Sequence, residues 1–249
     1  MTLTATKTVR EYAIETPQTI RVFEKLGIDY CCGGNRPLTE ACAASNLRVE
    51  DVLQSLEAAL AEPVKPAERE LRAGSLGELI AHIVQTHHTY VRREIPEIER
   101  LLEKVHSKHG ANHPELGKIR SVFHGLGQEL SMHLMKEESV LFPYIERMEE
   151  AVLQHEPILP PPFGTVGNPV RMMEQEHDSA GGALKTMREV SQDYNPPSDA
   201  CTSFRALYTA LQNFEQDLHQ HIHLENNVLF PRALAMESSK SVPESVAVN

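Results

Sequence analysis

Tryptophan is absent from this sequence and aromatic residues make up only 5% of it, so any core must be built from Leu, Ile, Val, Met and Ala. That palette favours packed helices over a β-sandwich. Cysteine is scarce too: Cys31, Cys32, Cys42 and Cys201 form no C-x-x-C pair, which argues against a disulfide-stapled secreted fold. No window reaches the roughly eighteen uninterrupted apolar residues that cross a bilayer, and the first residues lack the apolar stretch of a secretory signal. Basic runs are also missing. With 24 Lys plus Arg against 35 Asp plus Glu, the formal charge is −11, the wrong sign for displacing counterions from phosphates. The chain reads as soluble and cytoplasmic, with no membrane and no nucleic-acid partner. What it has in quantity is histidine, 13 residues in all.

Helical spacing with clear breakers organises the chain. Thr16-Pro17 opens a helix that Gly27 closes, a Gly-Gly turn spans 29–37, and shorter helices fit 38–44 and 49–61. Residues 1–61 are expected to form a small helical domain, 62–74 a linker, 75–237 a bundle and 238–249 a flexible tail. Within the bundle the helices are expected near 75–106, bent at Pro96, then 114–151, 170–192 and 200–236, with the proline-rich 155–169 as a loop. The fold class is therefore all-α: an antiparallel up-down four-helix bundle preceded by a small helical N-terminal domain.

Two stretches repeat each other: His133-Leu-Met-Lys-Glu137-Glu-Ser-Val-Leu-Phe-Pro143 and His221-Ile-His-Leu-Glu225-Asn-Asn-Val-Leu-Phe-Pro231. Their offset, 221 − 133 = 88, holds for the glutamates as well, and His88 and His177 match to within one residue. A duplicated helical hairpin explains this pattern. Residues four apart share a helix face, so each copy presents an imidazole and a carboxylate in one direction. A single exposed pair would be unremarkable at a helix surface. Here Val140, Leu141, Phe142, Val228, Leu229 and Phe230 continue one turn beyond the pairs, which predicts a buried face. Two carboxylates and four imidazoles in a core are costly unless neutralised together, and a metal does that.

Six nitrogen and oxygen donors are too many for a closed tetrahedral zinc site and too nitrogen-rich for calcium or magnesium. They suit two transition-metal ions sharing Glu137 and Glu225, with an oxo or hydroxo bridge and one open position each for dioxygen or nitric oxide. Iron is the first assignment and manganese the second. The Glu-x-x-His order of ferritin-like sites is not found. Of the other histidines, His87 points roughly 100° away from His88 on an ideal helix. His82, His219 and His223 are expected at solvated positions or behind the ligands, and His106, His109, His113 and His155 at the surface. Glu129 and Glu176 are candidates to orient ligands or line access. Met132, Met135, Met172 and Met173 read as core filling. Cys31 and Cys32, before Gly33-Gly34, form a candidate thiol motif, an activated thiolate being one reading and a buried reduced pair the other.

The motifs D-Y-C-C-G-G, H-x3-E-E-x2-L-F-P, E-H-D-x-A-G and H-x3-E-N-N-V-L-F-P together resemble the repair-of-iron-centres family, from about residue 8 to residue 235. The resemblance implies a cytoplasmic di-iron protein with a hemerythrin-like bundle that helps restore iron–sulfur clusters damaged by nitric oxide or peroxide. It carries the iron ligands onto His88, His133, Glu137, His177, His221 and Glu225, the cysteine pair onto Cys31 and Cys32, and the acids behind the ligands onto Glu129 and Glu176. One departure is His87, where the family usually has an aromatic residue. The partners implied are damaged iron–sulfur proteins or cluster scaffold proteins, with nitric oxide or dioxygen as small ligands; a homodimer stays open. A repair factor that supplies iron is preferred over a conventional enzyme. The alternatives are a di-iron nitric oxide reductase forming nitrous oxide and a dioxygen or nitric oxide sensor.

Overall fold

The computed structural model describes residues 3–61 and 73–240. Among them there is no strand, only an isolated bridge between Thr8 and Pro37. No helix among the described residues is long and apolar enough to cross a membrane. The expected linker falls almost wholly outside these residues, as does the tail beyond Lys240.

Four short helices come first: α1 (Val9–Glu15), α2 (Gln18–Leu26), α3 (Leu38–Ala44) and α4 (Val49–Leu60). The sequence reading missed α1, which starts with a capping box: Thr8 accepts from the Glu11 N–H and the Glu11 carboxylate accepts from the Thr8 N–H. Thr16 does not cap α2 as expected. It ends α1 instead, its hydroxyl donating to the Tyr12 carbonyl. Gly27 closes α2 in the left-handed region at φ 65°, a conformation only glycine adopts without strain. The four helices bury a core of their own around Tyr12, Phe23, Tyr30, Leu38, Val52 and Leu56.

The bundle follows. Its first helix joins α5 (Leu76–His82), a wide-turn segment π1 (Ile83–His88) and α6 (Thr89–His109). The second joins α7 (Glu115–Lys136), π2 (Glu137–Leu141) and α8 (Phe142–Leu153). The third is α9 (Gly167–Val190), and the fourth joins α10 (Thr202–Leu224), π3 (Glu225–Leu229) and α11 (Phe230–Lys240). α6 packs on α7, α7 on α9 and α10 on α6. Pro96 lies inside α6, which runs on to His109.

The register of these helices explains where the polar residues go. In α7 and π2 the buried positions include Leu116, Ile119, Phe123, Leu126, Leu130, His133 and Glu137, an alternation of three and four that forms one stripe. His133 and Glu137 therefore occupy core positions. Two apolar clusters result, one around Phe123, Leu130, Phe214 and Leu218, the other around Leu141, Phe142, Leu229 and Phe230. The polar layer of histidine and glutamate lies between them along the helices.

Two expectations need correction. Val140 is 45% exposed, and so are Met132, Met135 and Met172 to a similar degree; only Met173 of the methionine group is core. For Val140 the cause is the wide turn. The Phe142 N–H bonds back five residues to the Glu137 carbonyl, which rotates Val140 outward and brings Leu141 and Phe142 in together. The equivalent turn in the second copy has the Phe230 N–H on the Glu225 carbonyl, but there α1 packs on π3 and Val228 is buried.

Candidate metal centre

The layer between the two cores holds all six side chains that the sequence reading selected as ligands. His88 comes from π1, His133 and Glu137 from the second bundle helix, His177 from α9, and His221 and Glu225 from the fourth; all are buried. They form two groups of four whose candidate ligand atoms lie within 4.8 Å of one another: His88, Glu137, His221, Glu225 and His133, Glu137, His177, Glu225. Both glutamates belong to both groups. The duplication relates one group to the other, since His88 corresponds to His177 and His221 to His133.

The donor atoms face inward. His88 Nε2 lies 3.1 Å from His221 Nε2, and His177 Nε2 lies 3.0 Å from His133 Nε2. Glu225 reaches His221 Nε2 at 2.9 Å with one oxygen and His177 Nε2 at 3.2 Å with the other. Glu137 Oε2 stands 3.3 Å from His133 Nε2 and 3.4 Å from His88 Nε2. Despite that proximity, both Glu137 oxygens and Glu225 Oε2 have no aligned hydrogen-bond donor among the described residues.

Three of the imidazoles are turned by partners on their outer nitrogen. His88 Nδ1 donates to Glu138 at 2.6 Å, and Glu138 is held in turn by Arg92 at 2.9 Å. His133 Nδ1 donates to Glu176 at 2.9 Å, and Glu176 also pairs with Lys136. His177 Nδ1 donates to Asn226 Oδ1 at 2.8 Å. Such partners fix the tautomer and leave Nε2 as a lone pair aimed at the centre. Lone pairs facing each other at 3.0 Å between buried carboxylates repel unless positive charge sits among them. The orphaned carboxylate oxygens and converging nitrogens thus fit a cation-binding site, with mixed nitrogen and oxygen donors suited to a transition metal.

Without a cation the layer draws protons instead. Burial opposes charge on His88, but Glu137 and Glu225 outweigh it and push its pKa to about 10; the same balance, with Glu137 dominant, pushes His133 to about 9. Burial opposes ionisation of Glu225 as well, yet His221, His177 and His88 hold it well below the ordinary carboxylate value. His221 is lowered by burial, and its Nδ1 has no hydrogen-bond partner among the described residues.

Around this layer, sequence reading was uneven. Glu176 contacts a predicted ligand, whereas Glu129 is exposed and accepts from Ser179 at 3.1 Å. His87 is buried, stacked on His221 with rings 5° from parallel, and bonded to Asp217 at 3.0 Å. His223 is buried rather than solvated, accepting from Asn227 at 2.8 Å. His109 and His113 are half-buried, with His109 3.2 Å from the Cys201 thiol. Glu138 and Asn226 were missed, although their 88-residue offset was available in the repeat.

Cys31 and Cys32 are unpaired thiols whose sulfurs lie 3.7 Å apart. Their turn is held by Asp29, which accepts from the Cys31, Cys32 and Gly33 N–H groups. No helix start activates Cys31: the hydrogen bond with Cys32, burial and the Asp29 charge raise its pKa well above the ordinary thiol value. The pair lies against the metal layer, with the Cys32 thiol 3.6 Å from the His177 carbonyl. A cavity of about 190 Å³ opens here between Arg10, Cys31, Cys32, Glu174, Asp178 and Asn226.

A bundle with a buried histidine–glutamate layer is the architecture of a cation-binding helical protein. Residues 79–233 match the Hemerythrin HHE cation binding domain model, and residues 5–60 match the Domain of Unknown function (DUF542) model. Similar proteins include the iron-sulfur cluster repair protein YtfE of Escherichia coli O1:K1, 38% identical over 91% of this chain and 96% of its own length. The protein of the same name from Citrobacter koseri is 37% identical over the same shares. The chain belongs to the hemerythrin HHE family, among the iron–sulfur cluster repair proteins.

Proposed function

We propose that this chain is a di-iron protein that repairs iron–sulfur clusters damaged by nitrosative or oxidative stress, by supplying iron. The observation that carries the reading is that both four-residue groups use Glu137 and Glu225. Two carboxylates shared by two histidine pairs are the donor set of a bridged two-metal centre. The name of the relatives, iron-sulfur cluster repair protein, supports the activity. In this reading residues 1–61 and 75–237 are two domains, the first carrying the thiol motif and the second the centre, and the damaged iron–sulfur proteins are the partners.

Two iron ions joined by an oxo or hydroxo group would supply, when bound, a centre that exchanges small ligands and can give up an ion. The chain's own residues do the rest. Glu138 and Glu176 orient His88 and His133, so that release of a carboxylate oxygen need not scatter the imidazoles. The apolar clusters on either side exclude water from the layer. The thiol motif, set beside His177, stands where it can receive a departing ion or meet a client protein.

His133→Ala or Glu137→Ala is expected to lower bound iron below two per chain and to abolish repair together. Anaerobic purification, iron quantitation and addition to a nitric-oxide-damaged iron–sulfur enzyme measure both. Full iron content in either variant would remove that residue from the ligand set.

A further inference from the structure

One of the positions at which the two copies of the repeat differ links the metal layer to the N-terminal helices. Glu138 in the first copy corresponds to Asn226 in the second, and each holds the outer nitrogen of one imidazole, His88 or His177. A carboxylate only accepts hydrogen bonds, whereas an amide both accepts and donates. Glu138 turns its remaining capacity to Arg92, within the bundle. Asn226 turns toward the N-terminal helices: its Nδ2 donates to the Cys31 carbonyl in a long bond of 3.4 Å, and its backbone carbonyl accepts from Arg10 Nη2 at 3.0 Å. The next residue repeats the gesture, Asn227 donating to the Tyr30 carbonyl at 3.1 Å. His177 is also touched from the other side, by the Cys32 thiol on its carbonyl. No other predicted ligand has such contacts with the thiol turn among the described residues.

We infer that Asn226 is a positioning residue through which the thiol turn controls the ion held by His133 and His177, leaving the ion held by His88 and His221 unaffected. The inference rests on the di-iron reading. Displacement of the Cys31–Cys32 turn, by a client protein or by a group added to the thiol, frees the Asn226 amide and loosens its hold on His177 Nδ1. One site then becomes labile when the turn is engaged.

The test uses the full iron-loaded chain with Cys201→Ser, which leaves Cys32 as the accessible thiol because Cys31 and Cys42 are buried. Iodoacetamide adds bulk to Cys32, whose sulfur already lies 3.5 Å from where a Gly181 Cβ would stand. Alkylation, verified by mass spectrometry, is expected to speed removal of one of the two irons by a ferrous chelator about tenfold, the low end of the effect of losing an outer partner. Only one of two Mössbauer doublets should change. Asn226→Asp keeps an acceptor for His177 but has no N–H for Cys31, so its two irons should leave at rates that alkylation does not alter. Arg10→Ala, outside the bundle, should speed release of one iron without alkylation. Release unchanged by alkylation, both irons accelerated equally, or an Asn226→Asp protein that responds like its parent would each overturn the link. A parent protein that never holds two irons overturns the di-iron reading instead.

Discussion

At the scale of single residues, the bundle relies on a few side chains that reach across to close a helix end. The first helix has its Leu76 and Gly77 N–H groups satisfied by Glu149 from α8, at 2.6 and 2.9 Å. These donors would otherwise be unpaired at a helix start, and a carboxylate there also suits the helix dipole. Glu149→Ala is expected to destabilise the protein by about 1–2 kcal/mol, in the range of a lost cap, read as a shift in urea midpoint at constant slope. No sequence rule links Glu149 to Leu76, because the contact spans 73 positions. His133 and Glu137 were legible for the opposite reason: their meaning is carried by a local spacing written twice. His87 was half legible. Helical geometry turned it away from the centre, and only packing placed its ring on His221.

The bundle helices were readable from apolar spacing and breakers, since Leu, Ile and Phe at intervals of three and four mark one buried stripe. What spacing did not reveal is the wide turn in the first, second and fourth bundle helices, at His88, Glu137 and Glu225. An i→i+5 bond fits one extra residue into a turn, and such bulges recur at functional sites. In π2 and π3 the sequence carries a physical cue, because Pro143 and Pro231 lack the N–H that would continue the regular ladder. The bulge lets His133 and Glu137 face the centre while Leu141, Phe142 and Ile145 pack below it. Deleting Ser139, inside π2, should remove the extra residue, restore an unbroken i→i+4 ladder and shift Glu137 out of its present position while α8 keeps its core face. Helix content by circular dichroism should hardly change, while bound iron falls and the melting temperature drops by several degrees. A deletion variant that keeps its parent's iron content would show that the bulge does not set the geometry of the histidine–glutamate layer.

Over the whole molecule, the −11 charge and 13 histidines make stability depend on pH. The end of the bundle away from the metal layer offers a clean case. His113 joins the starts of the second and fourth bundle helices, with Nε2 on Asp199 at 3.1 Å and Nδ1 on Glu115 at 2.9 Å, and with the His109 ring nearby. The hydrogen bond to Asp199 raises the His113 pKa above 6.5, and Glu115 adds to it; the same bond lowers Asp199 below 3.8. A raised histidine contributes stability that is fully present below about 6.5 and is lost as pH rises through its folded value. A lowered aspartate contributes above about 3.9 and loses that contribution as pH falls through its folded value. The pair is therefore strongest between those limits. At equal metal content, the melting temperature lost on His113→Ala should be larger at pH 5 than at pH 8.5, by about 1–2 °C for a largely solvated pair. An equal loss at both values would mean that His113 acts through its packing against Phe204, at 5.3 Å between ring centres, and not through its charge.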